Sequence, residues 1–223
     1  MSRGNGGLVG VYNRYPGSGI WSLREAQLKA AIKIDYAVIG GGNSGGTGGA
    51  CSFGSALVSR IAQTVTVGAI NGSSNFLGVT ANAGAGGSPT LRSSIWGEGS
   101  AYAYDGMPGG SPANNAGVSG YATWDYGAGG AGGNGNLWSI DGNYYGGGLG
   151  GSAWSGGSSP RGPIVIIQGT NGLGASNYGG GNRSGGVIAS YLSNVPLFFG
   201  GTTTVVSGRV YHSFGSSGFL VPL

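Results

Sequence analysis

Charge is what this 223-residue chain has least of: ten Lys or Arg and six Asp or Glu, 7% of all positions, against about a quarter in an ordinary globular protein. A nucleic-acid footprint needs a dense basic patch. The largest local excess here is Arg3, Arg14, Arg24, Lys29 and Lys33 against Glu25, which reads as a solvated helix face, so no nucleic-acid partner is expected. Cysteine is nearly absent. Cys51 stands alone, which excludes an intrachain disulfide framework and a Cys-based zinc site and reads as a buried structural thiol. Histidine is equally scarce: His212 is single and lies in a β-rich segment between Tyr and Phe, where a structural side chain is the ordinary role. No Gly-x-Ser-x-Gly with a following acid and histidine is present, and no His/Cys/carboxylate cluster suggests a metal. Neither enzymatic activity nor a cofactor or metal is expected. No run of 18 apolar residues is written in the chain, so no transmembrane helix is expected. Residues 1–10 carry no apolar stretch of the signal-peptide kind, so no signal peptide is expected.

Glycine fills the space that charge leaves. It occupies 55 positions, several times the usual share of about 7%. Disordered chains have few aromatics, whereas this one has 5 Trp, 12 Tyr and 6 Phe and therefore apolar area to bury. Each glycine loses more backbone freedom on folding than any other residue. Packing against further copies would offset that cost, so an oligomer is expected.

Residues 1–20 are turn-rich and read as an extended arm. Ser22 and Glu25 form a capping box, followed by a rough apolar helical face through Lys33. Strand signals follow at Ile34–Ile39, Thr64–Val67, Ile164–Ile167, Thr202–Val206, Arg209–Phe214 and Phe219–Val221. The last three are spaced as hairpins, with turns at Ser207-Gly208 and at residues 215–218. Between these strands the glycines show a three-residue period: 127, 130, 133 and again 129, 132, 135, with shorter runs at 42, 45, 48 and at 147, 150. Three residues per turn is polyproline II geometry, and two glycines per triplet allow close packing of such helices. The alternative for these runs is flexible linker, which the interleaved Trp and Tyr disfavour.

Gly40-Gly41-Gly42-Asn43-Ser44-Gly45 follows a strand and matches the dinucleotide-binding spacing. Gly46, Gly48 and Gly49 oppose the helix that this site requires, and no acidic residue for a ribose occurs between Asp35 and Glu98. The carboxylates Glu98, Asp105, Asp125 and Asp141 fall in the middle third, where a glycosidase pair is conceivable. Asp105-Gly106 and Asp141-Gly142, however, read as turn dipeptides. The segment 96–154 is rich in rings amid Gly, Ser and Asn. Its candidate receptor-contact residues are Trp124, Asp125, Tyr126, Trp138, Tyr144, Tyr145 and Trp154. The alternative is that these rings form the core of the glycine-rich layer, since aromatics dominate cores and interfaces alike.

Four segments together resemble bacteriophage tail-fibre and virion structural proteins with a glycine-rich domain: Gly19-Ile20-Trp21-Ser22-Leu23-Arg24-Glu25, residues 35–42, Gly162-Pro163-Ile164-Val165-Ile166-Ile167, and residues 211–219. In such proteins the histidine-containing hairpin usually precedes the glycine-rich domain, whereas here it ends the chain. The resemblance implies a virion component, often a homotrimer, released by lysis, whose loops touch a host glycan or outer-membrane protein. It carries no catalytic residues over.

The expected architecture is all-β: a glycine-rich, sandwich-like body with polyglycine II segments and one short N-terminal helix. Residues 1–35 would attach the chain to other virion proteins through Trp21, Leu23, Arg24 and Leu28. Residues 36–168 would form the body and 169–223 the C-terminal hairpins. The expected role is host-surface recognition at a tail fibre or tip. The rivals are a capsid decoration or head-fibre protein, a polyglycine-type ice-binding protein and an enzyme acting on surface glycans through Asp105, Asp125 or Asp141.

Overall fold

A computed structural model describes residues 31–86, 90–93, 101–105, 107–111, 116–122, 126–155 and 165–223. The described residues are all-β, without a helix. The arm and most of the predicted helix, including Trp21, Leu23, Arg24 and Leu28, lie outside them. The end of that predicted helix does not: Ile32 and Lys33 open the first strand. The β-branched run Ile32, Ile34, Val38 and Ile39 suits a pleated surface better than a helix.

Five strands come first: β1 (Ile32–Ile39), β2 (Cys51–Val58), β3 (Gln63–Thr66), β4 (Ser74–Phe76) and β5 (Val79–Ala81). Eight short ones cross the glycine-rich middle. These are β6 (Leu91–Ser93), β7 (Ala101–Tyr104), β8 (Tyr121–Ala122), β9 (Tyr126–Ala128), β10 (Asn136–Trp138), β11 (Asn143–Tyr145), β12 (Ala153–Ser155) and β13 (Val165–Ile167). Five more close the chain: β14 (Gly186–Leu192), β15 (Phe198–Phe199), β16 (Thr202–Val206), β17 (Arg209–Phe214) and β18 (Gly218–Pro222).

The first and last groups build a β-sandwich. One antiparallel sheet has the order β16-β17-β14-β1-β2, the other β15-β18-β3-β4-β5. Alternation along each strand sends one set of side chains inward. Ile34, Val38, Val187, Tyr191, Val210 and Phe214 from the first sheet meet Val65, Phe76, Phe198 and Leu220 from the second. Each fully buried side chain of this size contributes about 1.5–3 kcal/mol. A boundary between residues 35 and 36 thus falls inside β1, and strands from residues 32–81 interleave with strands from 186–223 in both sheets. Ser207-Gly208 forms the expected two-residue turn, with φ of 49° and 76°, as a type I′ hairpin requires. The segment 211–219 is not a hairpin: β17 stays in the first sheet while β18 crosses to the second and pairs with β3 and β15.

The middle of the chain is held differently. Gly129, Gly132 and Gly135 donate their N–H groups to Ile167, Thr170 and Leu173, so two parallel segments are tied at every third residue. Gly130 and Gly133 donate in the same way to Tyr104 and Met107. The Asn136 side chain supplies the next step, donating to the carbonyl of Gly110 at 2.9 Å. Tyr104, Met107 and Gly110 in turn donate to Ser152, Leu149 and Gly146, an antiparallel ladder of the same period. This three-residue repeat is that of polyglycine II. It explains the triplets. The two glycines of each face two bonded neighbours, and the third position carries Ala131 or the exposed Asn134. A Cβ on Gly132 would sit 2.1 Å from the carbonyl oxygen of Gly148, and one on Gly48 would sit 1.8 Å from that of Gly146. Side chains are excluded there by backbone.

The glycine bundle is joined to the outer face of the first sheet through a second apolar cluster. Ala37, Ile39 and Ile188 of the sheet, with Cys51, pack against Trp138 and Tyr145 of the β10–β11 hairpin. The Phe53 and Trp138 rings lie 6.3 Å apart. The first sheet is therefore covered on both faces over its central strands, which is why every residue of β14 but Leu192 is buried.

Candidate functional site

Trp138 and Tyr145, candidates for receptor contact, are placed in this second cluster, 3% and 5% exposed. Their rings fill the volume between sheet and bundle, the core alternative anticipated for them. Burial pushes the Tyr145 hydroxyl up from its ordinary value, and its hydrogen bond to Asp141 at 2.6 Å adds to the shift. Tyr144 is half-buried, and its carbonyl accepts from the Asn177 side chain at 2.7 Å. Tyr126 is half-buried, 6.1 Å from the exposed ring of Tyr121. Trp124 and Asp125 lie outside the described residues. Trp154 is placed only as the β12 partner of Tyr102. Among the described candidates, Trp138 and Tyr145 meet in the buried cluster, and Tyr126 packs beside Tyr121 instead.

The predicted structural roles fare better. His212 is fully buried in the sandwich. Its Nδ1–H donates to the Gly200 carbonyl at 2.9 Å, with the Thr203 hydroxyl 3.1 Å away. Its Nε2 accepts from the Tyr191 hydroxyl at 3.1 Å. The Tyr191 oxygen also accepts from the N–H groups of Leu197 and Phe198. The Gly200 carbonyl can only accept, so it fixes the tautomer. Burial lowers the His212 pKa, opposed by the bond to Gly200. Cys51 is buried and its thiol is pushed up to about 12, chiefly by desolvation. Gly41 and Gly42 spend their N–H groups on the carbonyls of Gly72 and Arg183, so the dinucleotide-like spacing offers a pyrophosphate neither amide.

One concavity among the described residues was not visible in the sequence. It is a groove of about 1050 Å³ where sandwich and bundle meet. Its floor is the outer face of the first sheet: Thr204 and Val206 of β16, Tyr211 and Ser213 of β17, and Ile188 of β14. The hairpin turn forms one wall with Ile140, Asp141 and Asn143, and the loop 176–184 another with Asn177, Tyr178, Asn182 and Arg183. The turn reads as expected, since Gly142 has φ +74° and the Asp141 carboxylate accepts from the Asn143 N–H at 2.9 Å. Tyr178 owes its position to a glycine. A Cβ on Gly186 would sit 2.4 Å from the Tyr178 ring, and one on Gly215 would sit 3.5 Å from it. The ring thus rests on the sheet backbone while still lining the groove. Tyr211 is pinned by donating its hydroxyl to the Ile140 carbonyl at 3.2 Å. The Arg183 guanidinium is exposed and has no hydrogen-bond or ion-pair partner among the described residues. By contrast, Arg209 on the same face is tied to Asp35 at 2.7 Å.

Comparisons with protein-family models, with curated proteins and with solved structures find no match for this chain. The groove therefore stands on its own chemistry: two anchored tyrosine rings, planar polar side chains on the rim and one unspent cation.

Proposed function

We propose that the chain is a structural component of a bacteriophage particle, carried at a tail fibre or tail tip and engaged in host-surface recognition. The observation that carries this reading is the set of three-residue ladders. They make a body chiefly from hydrogen-bonded backbone, without disulfides and nearly without charge, as suits a part that must keep its shape outside a cell. The four resembling segments point the same way. Assembly into an oligomer, a homotrimer by the resemblance, is supported by β16. All five of its residues are exposed and uncharged, and its outer edge has no strand partner among the described residues. Open edges without charge, proline or a bulge favour pairing with another chain.

Gold-labelled antibody raised against the chain, applied to intact particles of the encoding phage, tests the proposal. Label at the tail is the expected result. Label over the head in hundreds of copies would replace it with a decoration role, and unlabelled particles would overturn it. Light scattering of the purified chain tests the oligomer, with a trimer mass expected and a monomer contrary.

A further inference from the structure

We infer that the groove between sandwich and bundle is a saccharide-binding site that takes a short stretch of neutral or amino-sugar polymer. The inference rests on the host-recognition reading for the source of the ligand, a glycan of the bacterial surface. The site itself rests on geometry.

Three features choose the ligand class. The first is the pair of tyrosines. Tyr178 lies against Gly186 and Gly215, and Tyr211 is anchored to Ile140, so both rings are held before any ligand arrives. The electron-rich face of an aromatic ring attracts the slightly positive C–H face of a pyranose, and a ring already ordered loses little entropy on binding. The second feature is the rim. Asn143, Asn182 and Arg183 are exposed beside the half-buried Asp141. Such planar groups donate to and accept from vicinal hydroxyls in pairs, as a guanidinium fork does for two oxygens. The third is charge balance. The groove holds one carboxylate, Asp141, and one cation, Arg183. A nucleotide or phosphate ligand calls for net positive charge, and a purely aliphatic ligand would leave the Asn182 amide and the Arg183 guanidinium desolvated without partners. A sugar chain satisfies both the polar rim and a floor that mixes Tyr211, Val206 and Ile188 with the hydroxyls of Thr204 and Ser213. The volume of about 1050 Å³ is at the upper end of ligand pockets, roughly 300–1000 Å³, so more than one sugar ring fits.

The test is calorimetric titration of the purified chain with maltotriose, chitotriose and O-chain oligosaccharides released from host lipopolysaccharide, beside a synthetic peptide of residues 1–30. Saturable binding of at least one saccharide is expected, weakened tenfold or more by Arg183→Ala and by Asn143→Ala. Both positions are exposed, and unchanged circular dichroism would show the fold intact. Ser59→Ala, exposed and outside the groove, should bind as the native chain. No saturable saccharide binding, binding indifferent to both rim substitutions, or occupancy of the groove by the peptide instead would each overturn the inference. Saccharide binding in a chain that never labels particles would remove the virion reading and leave the site. Labelled tails with no saccharide binding would do the reverse.

Discussion

The sandwich and the glycine bundle lie in one chain and exclude water by opposite means. In the sandwich, side chains such as Phe76, Tyr191 and Leu220 fill the space between two sheets. In the bundle there is no such space, and carbonyl oxygens stand where a Cβ would be. The first packing gains from each methylene added up to its volume limit. The second tolerates none. The cost of ordering glycine is offset there by bringing hydrogen-bonded backbones together every third residue. The contact between the two regions needs large side chains again, and Trp138, Tyr145 and Phe53 supply them.

Four substitutions would break or sharpen that contrast. The largest effect is expected for Gly132→Ala, the smallest possible addition. Its methyl meets backbone atoms of Gly148 and Leu149 that cannot rotate away. A loss of about 5 kcal/mol or more, at the exceptional end for one substitution, is expected, read by urea titration; tolerance within about 1 kcal/mol would mean that the ladders yield easily. Phe76→Ala removes volume instead, and should cost about 3–5 kcal/mol in the same titration.

His212→Phe comes next, at about 1–3 kcal/mol, because it deprives the Tyr191 hydroxyl and the Gly200 carbonyl of partners. It should also flatten a pH dependence. The folded pKa of His212 is lowered, so below about 6.5 the unfolded chain takes up a proton that the native ring resists. Stability is therefore fully present above that value and falls as pH drops toward the folded pKa. Thermal unfolding from pH 8 to 5.5, native against His212→Phe, measures the difference. The smallest effect belongs to Gly78→Ala. That glycine has φ +77° and open space around it, so only the left-handed backbone is penalised, by about 1 kcal/mol. A melting shift as large as that of Gly132→Ala would erase the distinction between crowded and merely turned glycines.

Much of this was legible from residue order, though unevenly. Thr202–Val206 and Arg209–Phe214 were read to the residue, because β-branched and aromatic runs end at a Ser-Gly turn. The triplet period of residues 127–135 pointed to the geometry its hydrogen bonds adopt. β14 was missed since it is buried on both faces and so lacks alternation. β2 was missed because Gly54 interrupts it, where a Cβ would lie 2.5 Å from the Tyr36 hydroxyl. The candidate ring residues were chosen by local density, whereas Tyr178, Arg183, Asp141 and Tyr211 of the groove are brought together by the first sheet and the hairpin that docks on it. No spacing along the chain encodes that meeting.

The ladders also carry an evolutionary consequence. A single residue inserted within 129–135 would rotate every later glycine by a third of a turn, trading bonded faces for the outward one, while three would restore the phase. Length changes inside these segments should therefore survive only in multiples of three, leaving the connections between segments free to lengthen one residue at a time.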